Sequence, residues 1–584
     1  MSKLVKITLN GKDVEALAGS TILDVCIEEN VFVPRLCYLK DVHEEGNCRL
    51  CVVEVDGMKN LKPACRTEIY PNMKIVTRNA RTHEHVVNLL ELMASNHHFE
   101  CFACPRDRNC EFLTLLKKYN VTNQYSSLHG YPAKEFIVST DSNSIVFDSS
   151  KCVLCGRCVS ACKKYTNLSI IDFNKRGTHT YVGPALFHPI SDSGCIYCGK
   201  CLLSCPTGAI KEVDDIKLFD AALNDNAKKV IVQIAPAVRV ALGEEFGMKI
   251  GTNVEGQIYA ALKQIGVYDI AETTFGADLT IMEEGAELLD RLQNGGKLPL
   301  FTSCSPGWIR FIETYNHEYL ANLSSCKSPM QMTGAIIKTY YVNKLKLSNS
   351  EIVSVAIMPC IAKKDEAARP EMLRNGRPDV DVVLTTREFA RYLKSQGIDL
   401  AKLKPERATG ELAQYTGAGI IFGATGGVME ASLRTVAHVL GDNLERIDYK
   451  EARGQKAIKE ATINIGGYEL NIAVVHGGTA IKHFMNKLKT TKKQYHFVEF
   501  MGCIGGCING GGQPILTASE QEKVNIVQAR TKAIYQADAK NNFRRSYENK
   551  EVKYLYDSGF LTHKKAHELL HTTYKAKNIY NNEE

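Results

Sequence analysis

The sequence predicts a multidomain chain of mixed α+β and α/β class, and three observations carry that expectation. The first is length: 584 residues allow about four domains at roughly 100–200 residues each. The second is cysteine placement, since sixteen of the 21 cysteines lie before residue 206. The third is that, beyond residue 212, apolar strand-like runs alternate with helical periodicity, the pattern of parallel sheets covered on both faces. Hydrophobic residues at 44% and charged residues at 23% exclude disorder, collagen and coiled coil as the dominant architecture. No apolar run reaches the about 18 residues of a membrane span. The N-terminus lacks the basic flank and long apolar stretch of a secretory signal, so a cytoplasmic location is expected. The net charge of +7, from 72 Lys and Arg against 65 Asp and Glu, forms no stripe, so no nucleic-acid partner is expected.

Each element can be justified in order. From Leu4 to Leu17 the alternation around Asn10-Gly11 reads as a β-hairpin, because Asn-Gly supplies the positive φ angles of a tight turn. It opens a β-grasp-like domain over 1–80. A second unit, 81–125, begins with a helical pattern through HEHVVNLLELMASNHHF (83–99). A polar stretch, NQYSSLHGYPAKEF (123–136), reads as a linker into a third unit, 126–212. The rear domain, 213–515, offers strand-like runs KVIVQIAP (229–236), YDIAETTFG (268–276), IVSVAIMPC (352–360), DVDVVLTT (379–386), AGIIFGATGG (418–427), LNIAVVHGG (470–478) and YHFVEFMGC (495–503). Helical runs VRVALGEEF (238–246), ADLTIMEEGAELLDRL (277–292) and REFARYL (387–393) lie between them. Ligands of such sheets bind at the carboxyl ends of the strands, where Pro236, Cys304, Cys360 and Cys503 fall. Residues 516–584 read as a polar, Lys-rich helical tail.

In a cytoplasmic chain the cysteines stay reduced, so their spacing is a ligand pattern. Cys152-x2-Cys155-x2-Cys158-x3-Cys162 and Cys195-x2-Cys198-x2-Cys201-x3-Cys205-Pro206 form the bacterial ferredoxin pattern, in which the fourth cysteine of each run ligates the other run's 4Fe-4S cubane. The expected sets are Cys152, Cys155, Cys158 with Cys205, and Cys195, Cys198, Cys201 with Cys162. Zinc also takes four thiolates, but the exchanged fourth ligand and the Cys-Pro step argue against it. Upstream, Cys37, Cys48, Cys51 and Cys65 offer four thiolates for a 2Fe-2S cluster, with zinc as the alternative. Cys101, Cys104 and Cys110 need a fourth ligand for another 4Fe-4S cluster. His97 is preferred to His98, because in a continuous helix it would share a face with Cys101. An imidazole in place of a thiolate should raise that cluster's potential. Cys26 and Cys326 read as small buried apolar residues.

The four cluster sites, followed by FTSCSPGW (301–308), MPCIAKKDE (358–366) and FMGCIGGCINGGGQP (500–514), resemble the FeFe-hydrogenases of the clostridial type with four accessory clusters. The front alone is similar to the iron–sulfur subunit of respiratory NADH dehydrogenase; the three rear motifs make the distinction. The resemblance implies a two-lobed rear domain holding an H-cluster, a 4Fe-4S cubane joined to a two-iron unit with carbon monoxide, cyanide and azadithiolate ligands. It implies Cys360, Cys503 and Cys507 as cubane ligands, with Cys507 bridging. It further implies reversible reduction of protons to H2, ferredoxin or flavodoxin as redox partner, maturation proteins that insert the two-iron unit, and a monomer. Buried cyanides need donors, for which Lys363 and the backbone at Ala235, Pro236 and Ala237 are expected, while Lys364 reads as a solvent lysine. Met358 and Met501 would pack softly against the two-iron unit. The family's proton path matches Cys304, Glu284, Ser324, Glu287 and Arg291; a carboxylate pair on a helix is otherwise a solvated face.

One position departs from the family. Where two adjacent cysteines are usual, this chain has Cys304-Ser305, so Ser305 falls on the fourth cubane ligand. Either Ser305 ligates through oxygen, or Cys304 turns to become the ligand, or the site is defective. Oxygen ligation is preferred, because adjacent side chains of an extended segment point oppositely and the proton path is otherwise intact. Ala237 and Met330 are milder departures. A redox sensor and an iron–sulfur assembly scaffold are the competing readings. No signalling domain fits after residue 515, and a scaffold would lack the N-terminal 2Fe-2S domain.

Overall fold

The computed structural model describes residues 4–121, 136–442 and 446–580, so the linker expected at 123–136 lies outside the described residues but for Phe136. The strands Leu4–Leu9 and Lys12–Leu17 pair antiparallel, Leu4 opposite Leu17 and Leu9 opposite Lys12, around Asn10 (φ 51°) and Gly11 (φ 83°). They belong to a five-stranded sheet. On it lies the helix Ile22–Glu28, started by a capping box at Thr21 and burying Ile22, Leu23, Val25 and Cys26.

The helix of the second unit, Ala80–Ser95, stops earlier than its pattern suggests, with Asn96 as its cap. His97 and Cys101 therefore share no helix face, and the one-turn spacing expected between them does not hold. The polar run Ser95-Asn96 interrupts the apolar stripe, and the backbone N–H of Asn96 closes the last turn on Met93 and Ala94. Phe112, Leu115 and Leu116 of the next helix, Glu111–Lys118, share a core with Leu36, Cys37, Cys48, Val86 and Leu90.

In the third unit both cysteine runs use one local conformation. Leu154 (φ 52°) and Gly156 (φ 84°) in the first correspond to Tyr197 (φ 50°) and Gly199 (φ 70°) in the second. Each glycine opens a helix, Arg157–Thr166 and Lys200–Ser204.

We number the rear strands β1 Lys229–Ile234, β2 Asp269–Glu272, β3 Leu300–Phe301, β4 Ile352–Met358, β5 Val382–Thr385, β6 Ile458–Ile465, β7 Tyr468–His476 and β8 Phe497–Met501. One sheet, ordered β2-β1-β4-β5, is parallel throughout. The other, β3-β8-β7-β6, departs from the expectation of parallel sheets: β6 and β7 form an antiparallel hairpin. Gly466 and Gly467, both at positive φ, permit that two-residue turn, and β6 is an edge strand exposing alternate residues.

Two further expectations fail. AGIIFGATGG is a short helix, Gly417–Ile421, with a turn into the helix Gly427–Val439. An apolar run this short is ambiguous by pattern, and its glycines let it press on neighbours: a Cβ on Gly419 would meet the Thr274 carbonyl at 2.5 Å. VRVALGEEF is turns and a single 3-10 stretch, Leu242–Phe246. The tail is helical as expected, with Ile526–Lys540, Lys550–Asp557 and His563–Leu570 the longer pieces. It is less polar in function than in composition, since Ile534, Val552, Leu555, Leu569 and Leu570 enter the rear cores. Among the described residues no helix is long and apolar enough to cross a membrane.

Candidate active site and cluster ligands

The front sets assemble from short loops. Cys51 and Cys65 sulfurs lie 3.3 Å apart, and the Cys37 N–H points at Cys48 Sγ at 3.4 Å. A hydrogen bond from the Cys37 thiol, more than from its backbone, lowers the Cys48 thiol to about 6. Cys152, Cys155, Cys158 and Cys205 line one hollow. Cys201 has Cys198, Cys195 and Cys162 as sulfur neighbours. The helix Arg157–Thr166 carries Cys158 to the first group and Cys162 to the second, so the exchanged sets are the ones that meet.

His97, though off the helix, lines a hollow with Cys101, Cys104 and Cys110. Its ring packs edge-on against Phe99 and Phe112 at 4.8 and 5.2 Å, and its Nδ1 is buried without a partner. Burial pushes its pKa down to about 4, leaving the neutral imidazole that binds metal. His98 is half exposed and pairs with Glu100 at 3.1 Å.

In the rear domain four residues expected to act together come from three distant loops at strand ends. Ser305 follows β3, Cys360 follows β4, and Cys503 and Cys507 follow β8. The Gly502 N–H donates to Ser305 Oγ at 3.1 Å, which brings the serine against the Cys503 loop. Cys304, Cys360, Cys503 and Cys507 are enclosed by protein, and burial raises every one of these thiols, Cys507 to about 12. All four keep some accessible surface, and Cys507 lies within electrostatic reach of Cys304, Cys360 and Cys503, so the four thiols share one neighbourhood. Lys363 partly offsets that rise at Cys304, Cys360 and Cys507, and Lys200 does so at Cys503; bound iron would supply further positive charge, and the donor set fits a cubane, with one oxygen among three sulfurs.

Around these thiols, Met358 and Ala235 lie in one core, while Met501, Ala237, Cys304 and Cys507 lie in another, so the site sits between the two. Pro236 follows β1, and the Ala237 carbonyl accepts from Gln513 Nε2 at 3.0 Å. Lys363 is buried; its Nζ donates to the Cys304 carbonyl (3.2 Å), Ser328 Oγ (2.8 Å) and Glu366 Oε2 (2.7 Å). Lys364 is not the solvent lysine expected: it is buried, bonded to Glu388 at 3.0 Å, to the Val383 carbonyl and to Asp215. The short helix Ala362–Ala367 turns it inward between β5 and the rear of the sheet.

Glu284 and Glu287 lie on the helix Thr273–Asn294 and are not a solvated face. Burial, with Glu287 second, pushes Glu284 up to about 8, and one of its carboxyl oxygens has no partner. Its charge in turn helps raise the neighbouring Cys304 thiol, after burial. Ser324 donates to Glu287 at 2.8 Å and faces Glu284 as well. Arg291 closes the row with a 2.6 Å bond to Glu287. Ser324, Glu287 and Arg291 are thus hydrogen-bonded in a row, with Glu284 between that row and Cys304, in electrostatic reach of both. Ser325 and His571 extend it, and neither was foreseen: Ser325 Oγ lies 3.3 Å from Glu287 and 2.9 Å from His571 Nδ1. Backbone pairing of the tail with 325–327 brings His571 there, through Lys327 N–H to the Leu570 carbonyl and Thr572 N–H to the Ser325 carbonyl, and Glu283 holds its Nε2 at 3.1 Å. Cys326 and Cys26 are buried in apolar cores as expected.

Comparison with known proteins agrees with this architecture. Residues 228–511 match the model of the iron only hydrogenase large subunit, C-terminal domain. Residues 2–80 match a 2Fe-2S iron-sulfur cluster binding domain, 151–209 a 4Fe-4S dicluster domain, and 524–577 the iron hydrogenase small subunit. The chain is 42% identical over 574 residues to iron hydrogenase 1 of Clostridium pasteurianum, covering 97% of this chain and 99% of that protein. It is 40% identical over 585 residues to the NADP-reducing hydrogenase subunit HndD of Solidesulfovibrio fructosivorans, covering 98% and 99%. A variant of apo FeFe-hydrogenase HydA1 from Chlamydomonas reinhardtii superposes with a TM-score of 0.55 at 37% identity, covering 63% of this chain and all of that one. With three thiols and a serine at the carboxyl ends of two sheets, a buried acid file behind them and a full-length match of this kind, the chain belongs to the family of iron-only FeFe-hydrogenases, oxidoreductases acting on H2.

Proposed function

We propose that Cys360, Cys503, Cys507 and Ser305 hold the cubane of an H-cluster, with Cys507 at the bridge, and that Cys304, Glu284, Ser324, Glu287 and Arg291 move protons to and from it. When bound, the centre supplies the reversible two-electron reduction of two protons to H2. Lys363, Met358, Met501 and the backbone at Ala235, Pro236 and Ala237 seat its two-iron part. Cys304 holds the last proton of the file, and Glu284, kept protonated near neutrality by burial, reloads it; a catalytic acid works best with a pKa near the operating pH. Ser324 links the two glutamates, and Arg291 holds the Glu287 carboxylate in place.

In this reading the accessory centres are one 2Fe-2S cluster on Cys37, Cys48, Cys51 and Cys65, and three 4Fe-4S clusters on His97 with Cys101, Cys104 and Cys110 and on the two exchanged sets. The five divisions 1–80, 81–125, 126–212, 213–515 and 516–584 follow. A cytoplasmic monomer exchanging electrons with ferredoxin or flavodoxin, and matured by dedicated proteins, fits the domain series. The observation that carries the reading is the meeting of three strand-end loops, with Ser305 hydrogen-bonded to the Cys503 loop and Cys360 beside Cys503 and Cys507. Infrared spectra of matured protein test it: metal-bound carbon monoxide and cyanide bands are expected, and their absence after maturation removes the assignment.

A further inference from the structure

Arg157 precedes Cys158, and its side chain is almost completely buried. Its guanidinium grips Glu111 with two bonds, 2.8 Å to Oε1 and 3.0 Å to Oε2. It also donates from Nη2 to the Tyr38 carbonyl at 2.9 Å and from Nε to the Cys37 carbonyl at 3.4 Å. Glu111 directly follows Cys110. One side chain thus ties together positions at or beside a ligand in three separate sets. Such a bidentate pair is directional as well as strong, and a lysine cannot reproduce the fork.

Neighbouring contacts fall on the same loops. Asn47, beside Cys48, donates Nδ2 to the Cys155 carbonyl at 3.4 Å, and His43 Nδ1 lies 2.7 Å from Ser160 Oγ. From the other side the Glu111 N–H donates to the Pro206 carbonyl at 3.0 Å, next to Cys205. Gly208 lets Cys104 Sγ approach so closely that a Cβ there would lie 2.4 Å from it.

We propose that Arg157 is the positioning residue of an electron-transfer branch point. It holds the Cys37/Cys48/Cys51/Cys65 set and the His97/Cys101/Cys104/Cys110 set at fixed separations from the Cys152/Cys155/Cys158/Cys205 set. The proposal rests on the cluster assignments above. Electron tunnelling falls steeply with separation, so loosening the grip slows the exchange without altering the ligands.

The test uses the matured, fully loaded enzyme and its variants Arg157→Gln, Arg157→Lys and Glu111→Gln. Iron analysis and low-temperature EPR of the reduced protein count each cluster. Oxidised enzyme is then mixed with H2-saturated buffer and freeze-quenched, and the rates at which the two peripheral EPR signals appear are read. With cluster content intact, Arg157→Gln should slow both signals at least tenfold, and Arg157→Lys should restore only part of the loss. Glu111→Gln should slow the His97-set signal alone, because the Tyr38 and Cys37 carbonyls still hold Arg157. Wild-type rates in Arg157→Gln with full cluster content overturn the proposal. If that variant fails to assemble its clusters, Glu111→Gln decides: selective slowing supports the branch point, and unchanged or equal slowing overturns it. A wild-type enzyme lacking one of the two peripheral signals would instead defeat the cluster assignments themselves.

Discussion

In the front third, each group of thiols comes mainly from one loop, as where Cys152, Cys155 and Cys158 wrap a hollow closed by Cys205. In the rear domain, the residues of the candidate site come from loops after β3, β4 and β8, far apart along the chain. The first arrangement needs little beyond local backbone, two left-handed residues per run. The second exists only when two sheets pack with their strand ends facing each other. Replacing a single ligand in the front should therefore alter one centre and spare the rest, whereas changes at the rear site should remove chemistry altogether.

The largest expected effect is Glu284→Gln. Removing a general acid costs about 10²–10⁴-fold, so H2 evolution should fall by that order while the infrared bands remain; undiminished turnover would refute the proton file. The same substitution has a stability signature. Because the folded carboxyl titrates at about 8 and an unfolded one near 4.5, the wild type loses stability as pH rises from 4.5 towards 8. The glutamine variant should lack that slope in denaturant melts.

Next is Lys363→Met, which strands the buried Glu366 partner and should destabilise the protein by about 3–5 kcal/mol, together with loss of the cyanide bands. Ser305→Ala and Ser305→Cys come third. The alanine variant should lose cubane iron, read by EPR of protein lacking the two-iron unit, and the cysteine variant should keep it with a shifted potential. Equal spectra in all three would mean that Ser305 does not ligate.

The smallest effect belongs to the front. His97→Cys should lower one cluster's potential by on the order of 100 mV in an EPR redox titration, leaving the other signals in place. In iron-free protein His97 titrates at about 4 against 6.5 when unfolded, so the fold loses stability as pH falls from 6.5 towards 4. His97→Phe should abolish that slope.

Much of this was legible because cluster motifs are local. Cys-x2-Cys spacing, the Asn10-Gly11 turn and the helical period around Glu284 and Glu287 follow from backbone geometry within a few residues. The misreadings mark where tertiary contacts decide. The run Gly417–Ile421 is helical because its glycines press against Thr274, and Lys364 is buried because Asp215 and Glu388 wait for it.

By itself the amino-acid order determined the close spacing of the front thiols, the alternation of strands and helices in the rear, and the serine that stands beside Cys304. Only the tertiary structure decided that His97 reaches its cysteines from a loop, that the tail delivers His571 to Ser325, and that Arg157 clasps three cluster sites at once. Spacing along the chain fixes what neighbours can do together. Long-range partners are chosen by burial, since an enclosed charge or donor must find its complement wherever folding brings one.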